Sequence, residues 1–103
     1  MKKTTLLFCS LMFSTILHAK EVILDVRTTA EYSTAHTKKA VNIDVTQDDF
    51  KTKILKFDKT DTYRIYCRSG NRSGKAVDIM KNLGFKNLEN LGSLENAKKI
   101  LGE

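Results

Sequence analysis
Tyr63-Arg64-Ile65-Tyr66-Cys67-Arg68-Ser69-Gly70-Asn71-Arg72-Ser73-Gly74-Lys75 is the stretch from which the rest of the chain is best understood. An apolar strand over residues 63–66 stops at a thiol, turns through six cationic, glycine-containing residues and feeds a helix. That placement aims backbone N–H groups and the positive end of a helix at one sulfur. Sulfur in such a field is held as thiolate, its nucleophilic form. Cys67 is therefore the candidate catalytic residue, and Arg68, Ser69, Gly70, Asn71 and Arg72 form the candidate substrate loop.

Outward from this loop, residues 73–83 carry Ala76, Val77, Met80 and Leu83 on one helical face, and Gly84 with Phe85 makes a glycine C-cap. Residues 86–91 read as a further strand, Gly92-Ser93 as a turn and residues 94–101 as a closing helix. Upstream, residues 22–26 are a short buried strand ending near Asp25 and Arg27. Thr28 or Thr29 can cap a brief helix with Glu31 in its first turn, and residues 40–43 form another strand. Residues 44–57 suit one helix or two short ones, and Lys59-Thr60-Asp61 a turn. Strands alternating with helices imply an α/β fold with a mostly parallel central sheet and helices on both faces.

The first 19 residues stand apart. Lys2 and Lys3 precede an apolar run over residues 6–17, and Ala19 offers a small residue for cleavage. This is the anatomy of a cleaved signal peptide, with a run too short to span a membrane comfortably. Phe8 before Cys9 is too large for a lipid-attachment motif. The expected domain covers residues 20–103, exported and free of the membrane after cleavage. It retains 16 basic and 12 acidic residues, a net charge of +4. The lysines are scattered with no basic run interleaved with aromatics, so no nucleic-acid partner is expected.

Cleavage leaves Cys67 as the single cysteine, so no internal disulfide can form, and an unpaired thiol in an oxidising compartment points to reactivity or intermolecular pairing. The bland alternative, a buried cysteine acting as a small hydrophobe, does not account for Arg68, Gly70, Asn71 and Arg72. Two-cysteine redox chemistry is excluded. His36 and Cys67 are too few for a zinc site, so no metal or other cofactor is expected. A phosphate-binding loop of the P-loop type fails twice: only three residues separate Gly70 from Gly74, and Ala76 follows Lys75. Four residues lie between Cys67 and Arg72, one fewer than tyrosine-phosphatase loops use, and Tyr66 stands where those enzymes carry histidine. The tighter cup suits a terminal sulfur better than a phosphoryl group.

Leu24-Asp25-Val26-Arg27 with Glu31-Tyr32, then His36 before Ala40-Val41-Asn42-Ile43, then Tyr66 through Ser73, resembles a single-domain rhodanese. The leader and small size make it most similar to the periplasmic phage-shock-protein-E type. The resemblance covers nearly all of residues 21–97. The usual Gly-His-Ile-Pro-Gly-Ala is here Ala35-His36-Thr37-Lys38-Lys39-Ala40, and the C-terminal glycine pair is reduced to Gly92-Ser93. What the resemblance implies is a thiosulfate sulfurtransferase; the leader places it in the periplasm, and a monomer is expected. Cys67 would take the outer sulfur of thiosulfate as a persulfide and pass it to a thiophilic acceptor such as cyanide or a small thiol. The alternative is a non-catalytic persulfide carrier serving a protein partner. With no histidine base beside Cys67, activation falls to the loop and helix end. N–H groups of residues 68–72 are expected around the sulfur, with Gly70 and Asn71 free to take positive φ. Arg68 and Arg72 are expected to draw in the dianion and stabilise departing sulfite. As supporting residues, Asp25 is either a partner for the loop or a strand-end acid, and Arg27 ties to Glu31 four residues on. His36 is structural, and Lys75 is a solvated helix residue.

Overall fold
The computed structural model describes residues 19–103; Cys9 and all but the last residue of the expected leader lie outside the described residues. Among the described residues four strands alternate with four helices. In chain order they are β1 (Glu21–Asp25), α1 (Thr29–Thr34), β2 (Val41–Asn42), α2 (Phe50–Ile54), β3 (Thr62–Cys67), α3 (Asn71–Asn82), β4 (Asn87–Ser93) and α4 (Leu94–Leu101). All strand pairs are parallel and the sheet order is β2-β1-β3-β4, so the α/β architecture expected from the sequence is the one observed.

The central strands β1 and β3 are buried on both faces, and their side chains divide by the two-residue period of an extended chain. Leu24 and Val26 join Tyr63, Ile65 and Cys67 on one face, beneath Phe50 and Ile54 of α2 and Ala76 and Met80 of α3. Ile23, Tyr66 and Leu91 take the other face with Ala97 of α4, and Tyr32 of α1 packs against them. Leu24, Ile54, Ile65 and Met80 have no solvent exposure. Burying each contributes roughly 1.5–3 kcal/mol.

Caps fix where the helices begin and end. Thr28 makes a reciprocal capping box with Glu31: Thr28 Oγ1 accepts the Glu31 N–H at 3.2 Å, and Glu31 Oε1 accepts the Thr28 N–H at 3.1 Å. Gly84, at φ 101°, terminates α3, and the Phe85 N–H donates back to the Met80 carbonyl at 3.0 Å.

Three boundaries differ from the sequence reading. Residues 44–57 hold only one short helix, because Asp44 draws the Thr46 N–H into a local turn at 2.9 Å and keeps that stretch from winding. Helix α3 starts at Asn71, so the six-residue loop shrinks to residues 68–70, and Arg72 and Ser73 stand in the first helical turn. Gly92-Ser93 is no turn. Strand β4 runs through both, and Ser93 caps α4 by accepting the Asn96 N–H at 3.0 Å. A bulge makes this possible: Ile65 lies opposite Asn90 and Tyr66 opposite Gly92, leaving Leu91 as the extra residue.

Candidate active site
Strand β3 delivers Cys67 to the C-terminal edge of the sheet, beside the start of α3. Its thiol is fully enclosed, while Arg68 and Ser69 form an exposed rim. The chain reverses at Gly70, whose φ of 100° turns its N–H onto Cys67 Sγ at 2.8 Å. Asn71 takes no positive φ, contrary to expectation, because Gly70 alone provides the left-handed step before the helix.

From the first turn of α3, Ser73 Oγ lies 3.3 Å from the sulfur. Burial pushes the Cys67 thiol up, but the Ser73 hydroxyl and the N–H groups of Ser73, Ser69 and Gly70 outweigh it and hold the thiol below its ordinary range. These are fewer N–H groups than the expected run over residues 68–72.

Arg72 reaches away from the thiol toward α1. Its guanidinium makes a two-pronged pair with Glu31, Nη1 to Oε1 at 2.8 Å and Nη2 to Oε2 at 3.0 Å. Hydrogen bonding from Arg72 pulls the Glu31 carboxyl down to about 2, with the Thr28 contacts adding to it against a burial cost. Arg72 still lies close enough to feel the sulfur's charge. Arg68 stands exposed at the rim.

The supporting residues are arranged differently from expectation. Arg27 does not tie to Glu31. It precedes the helix, so helical i,i+4 spacing does not apply to it, and its guanidinium turns back on Asp25 at 2.7 Å. Asp25 is thus a buried partner, but of Arg27 rather than of the loop: its Oδ1 also accepts the Arg27 N–H at 3.0 Å. The Arg27 guanidinium donates onward to the Ala35 carbonyl at 2.6 Å and lies 5.6 Å from the centre of the Tyr66 ring. The pair braces the segment after α1 from beneath. His36 stacks on Tyr32 with ring centres 3.8 Å apart, and its Nδ1 bonds the Tyr32 carbonyl at 2.7 Å, a structural placement. Lys75 is exposed on α3.

Glu31, Ser73 and Asn90 belong to this site without having been singled out for it. Ser73 carried a readable signal, lying six residues after Cys67 at the start of an amphipathic helix. Asn90 carried none, because only the β4 bulge brings it over the loop. A groove of about 510 Å³ opens beside the rim, lined by Arg27, Glu31, Thr34, Ala35, Arg68 and Leu94 among others. Among the described residues no cluster of metal-binding side chains occurs, and no helix is long and apolar enough to cross a membrane.

A parallel sheet whose central strand β3 ends in a cysteine under a tight amide loop is the frame of this site. The chain belongs to the rhodanese family, whose rhodanese-like domain matches residues 12–99. It is 34% identical over 96 residues to the thiosulfate sulfurtransferase PspE of Escherichia coli strain K12, an alignment covering 93% of this chain and 92% of that protein. Among solved structures, it is similar to a rhodanese from E. coli with anions, at 33% identity and a TM-score of 0.63, over 74% of this chain and 89% of that one. The rhodanese-like domain of the Alr3790 protein from Anabaena superposes with a TM-score of 0.72 over 90% of this chain and 89% of its own, at 21% identity, a likeness of fold.

Proposed function
We propose that the chain is a thiosulfate sulfurtransferase that works through a persulfide on Cys67. The observation that carries this reading is the sulfur itself, held at a strand end with the Gly70 N–H at 2.8 Å and the Ser73 hydroxyl at 3.3 Å. Those donors favour a charged sulfur without any neighbouring base. The Cys67 thiolate attacks the outer sulfur of thiosulfate, the S–S bond breaks, and sulfite leaves with the bonding electron pair. The outer sulfur of the new persulfide carries the negative charge. Cyanide or a small thiol then attacks that sulfur and restores the Cys67 thiolate. Because the thiol is enclosed, the donor enters by displacing the exposed rim at Arg68 and Ser69. Arg68 meets the incoming dianion there, and Arg72 adds positive potential from behind.

We further propose that residues 1–19 are a cleaved leader, that residues 20–103 are the exported, periplasmic domain, and that it acts as a monomer. Intact-mass measurement tests the chemistry. Thiosulfate should add one sulfur atom to the mature protein, cyanide should remove it as thiocyanate, and Cys67→Ser should abolish both steps while keeping the fold. Thiocyanate formation over many turnovers is expected. A single stoichiometric load without turnover would make the protein a sulfur carrier for a partner, and no sulfur uptake would overturn both readings.

A further inference from the structure
A closed ring of hydrogen bonds connects the thiol to β4. Ser73 Oγ donates to Asn90 Oδ1 at 2.7 Å, and the same oxygen accepts the Gly92 N–H at 2.9 Å. Asn90 Nδ2 donates to the Gly70 carbonyl at 3.2 Å, and the Gly70 N–H returns to Cys67 Sγ. Two of these contacts fix which way round the amide sits: its oxygen must face the Gly92 N–H and its nitrogen the Gly70 carbonyl. The Ser73 hydroxyl therefore has one hydrogen and two acceptors within reach, the amide oxygen and the sulfur. A protonated Cys67 can donate its own hydrogen to Ser73 Oγ, leaving the Ser73 hydrogen on Asn90. An ionised Cys67 has none to give.

We propose that the Ser73 hydroxyl, held in place by the Asn90 amide, is an adjustable donor that turns its hydrogen from Asn90 to the sulfur whenever the sulfur becomes negative. Ser73 and Asn90 are then positioning residues for the thiolate. Their role for the persulfide rests on the sulfurtransferase reading above. No proton changes hands in the turn: the thiol proton leaves to solvent, and the hydroxyl rotates about its C–O bond. Asn90 Oδ1 is not orphaned when the hydrogen leaves, because Gly92 still donates to it. The charged group close enough to interact with the sulfur is Arg72 on α3, which is paired to Glu31 of α1, while Arg68 stands exposed on the loop. From β4 the thiol meets the neutral Asn90, through Ser73.

Titration of Cys67 by thiolate absorbance and by alkylation rate against pH tests the proposal in the full mature chain. Ser73→Ala removes the adjustable donor and should raise the apparent pKa by about one unit, a tenfold loss of thiolate below it. Asn90→Asp, at an exposed position, captures the Ser73 hydrogen more strongly, gives up the donor to the Gly70 carbonyl and adds a negative charge, and should also raise the pKa. In the Ser73→Ala background the added effect of Asn90→Asp should shrink by at least half, since part of it acts through the hydroxyl. A Ser73→Ala protein that titrates like wild type, or two fully additive shifts, overturns the proposal. If Ser73→Ala does not fold, Ser73→Thr, which keeps the hydroxyl, should leave the pKa unmoved, while Ser73→Cys, a far weaker donor, should raise it. Equal titration of the two, read by alkylation at Cys67, overturns the proposal. None of these measurements uses a sulfur donor. A protein with the expected shifts that takes no sulfur from thiosulfate would support the Ser73–Asn90 arrangement and overturn the sulfurtransferase reading instead.

Discussion
Arg72 and Glu31 form the pair on which the mouth of the site turns, because they join the helix after the thiol to the helix before β2. Arg72→Ala should lower turnover by roughly ten- to a thousandfold, the scale of losing one preorganised charge. Steady-state thiocyanate formation measures it. The same substitution frees a carboxyl that is held at about 2 in the folded chain against an ordinary 4.5. The pair's contribution is therefore complete above pH 4.5 and is lost as pH falls toward 2. For a pair about a quarter exposed, it amounts to roughly 1 kcal/mol. Urea unfolding of the two proteins should differ by that amount at neutral pH, and the gap should close in acid. Thr37 tells the opposite story. It is fully buried where the family's usual motif has isoleucine, and its Oγ1 has no hydrogen-bond partner among the described residues. Thr37→Val keeps the volume and removes the orphaned hydroxyl, so the urea midpoint should rise, corresponding to about 1 kcal/mol, at unchanged slope.

At the scale of elements, the junction from β3 to α3 sets the chemistry, and Gly70 sets the junction. A Cβ at Gly70 would stand 3.4 Å from the Gly92 Cα, on a backbone at φ 100° that side-chain-bearing residues rarely adopt. Gly70→Ala should cost about 1–2 kcal/mol of stability. It should also swing the Gly70 N–H off the sulfur, so that alkylation of Cys67 at neutral pH slows. Wild-type alkylation kinetics in the variant would mean that the remaining donors hold the thiolate unaided. Much of this junction was legible in the sequence, because a strand ending in cysteine and a glycine-stepped entry to an amphipathic helix are local patterns. The thiol, the rim and α3 follow from residues adjacent in the chain. The Arg72–Glu31 pair spans 41 residues, and the Ser73–Asn90 contact depends on a bulge. No spacing rule reaches either. Arg27 shows the converse: helical spacing to Glu31 misled, because the residue lies outside the helix.

For the whole molecule, the distribution of charge and apolar residues over residues 1–19 makes a separate claim. N-terminal sequencing of exported protein should begin at or within a few residues of Lys20. A mature chain beginning at Met1 would overturn the leader and, with it, the argument that Cys67 is the sole thiol.

Strand β1 lies in the middle of the sheet yet comes first in the chain, and its main partner, β3, begins 41 residues later with Thr62 opposite Glu21. At ordinary synthesis speeds of about 5–20 residues per second, the first strand waits roughly 2–8 s for the segment that buries it. No hairpin can shorten that delay, since every strand pair is parallel and separated by a crossover. During that interval β1 has no β3 to pair with, so the core cannot close. Topology thereby ties closure of the core to the synthesis of β3, well after β1 has been made.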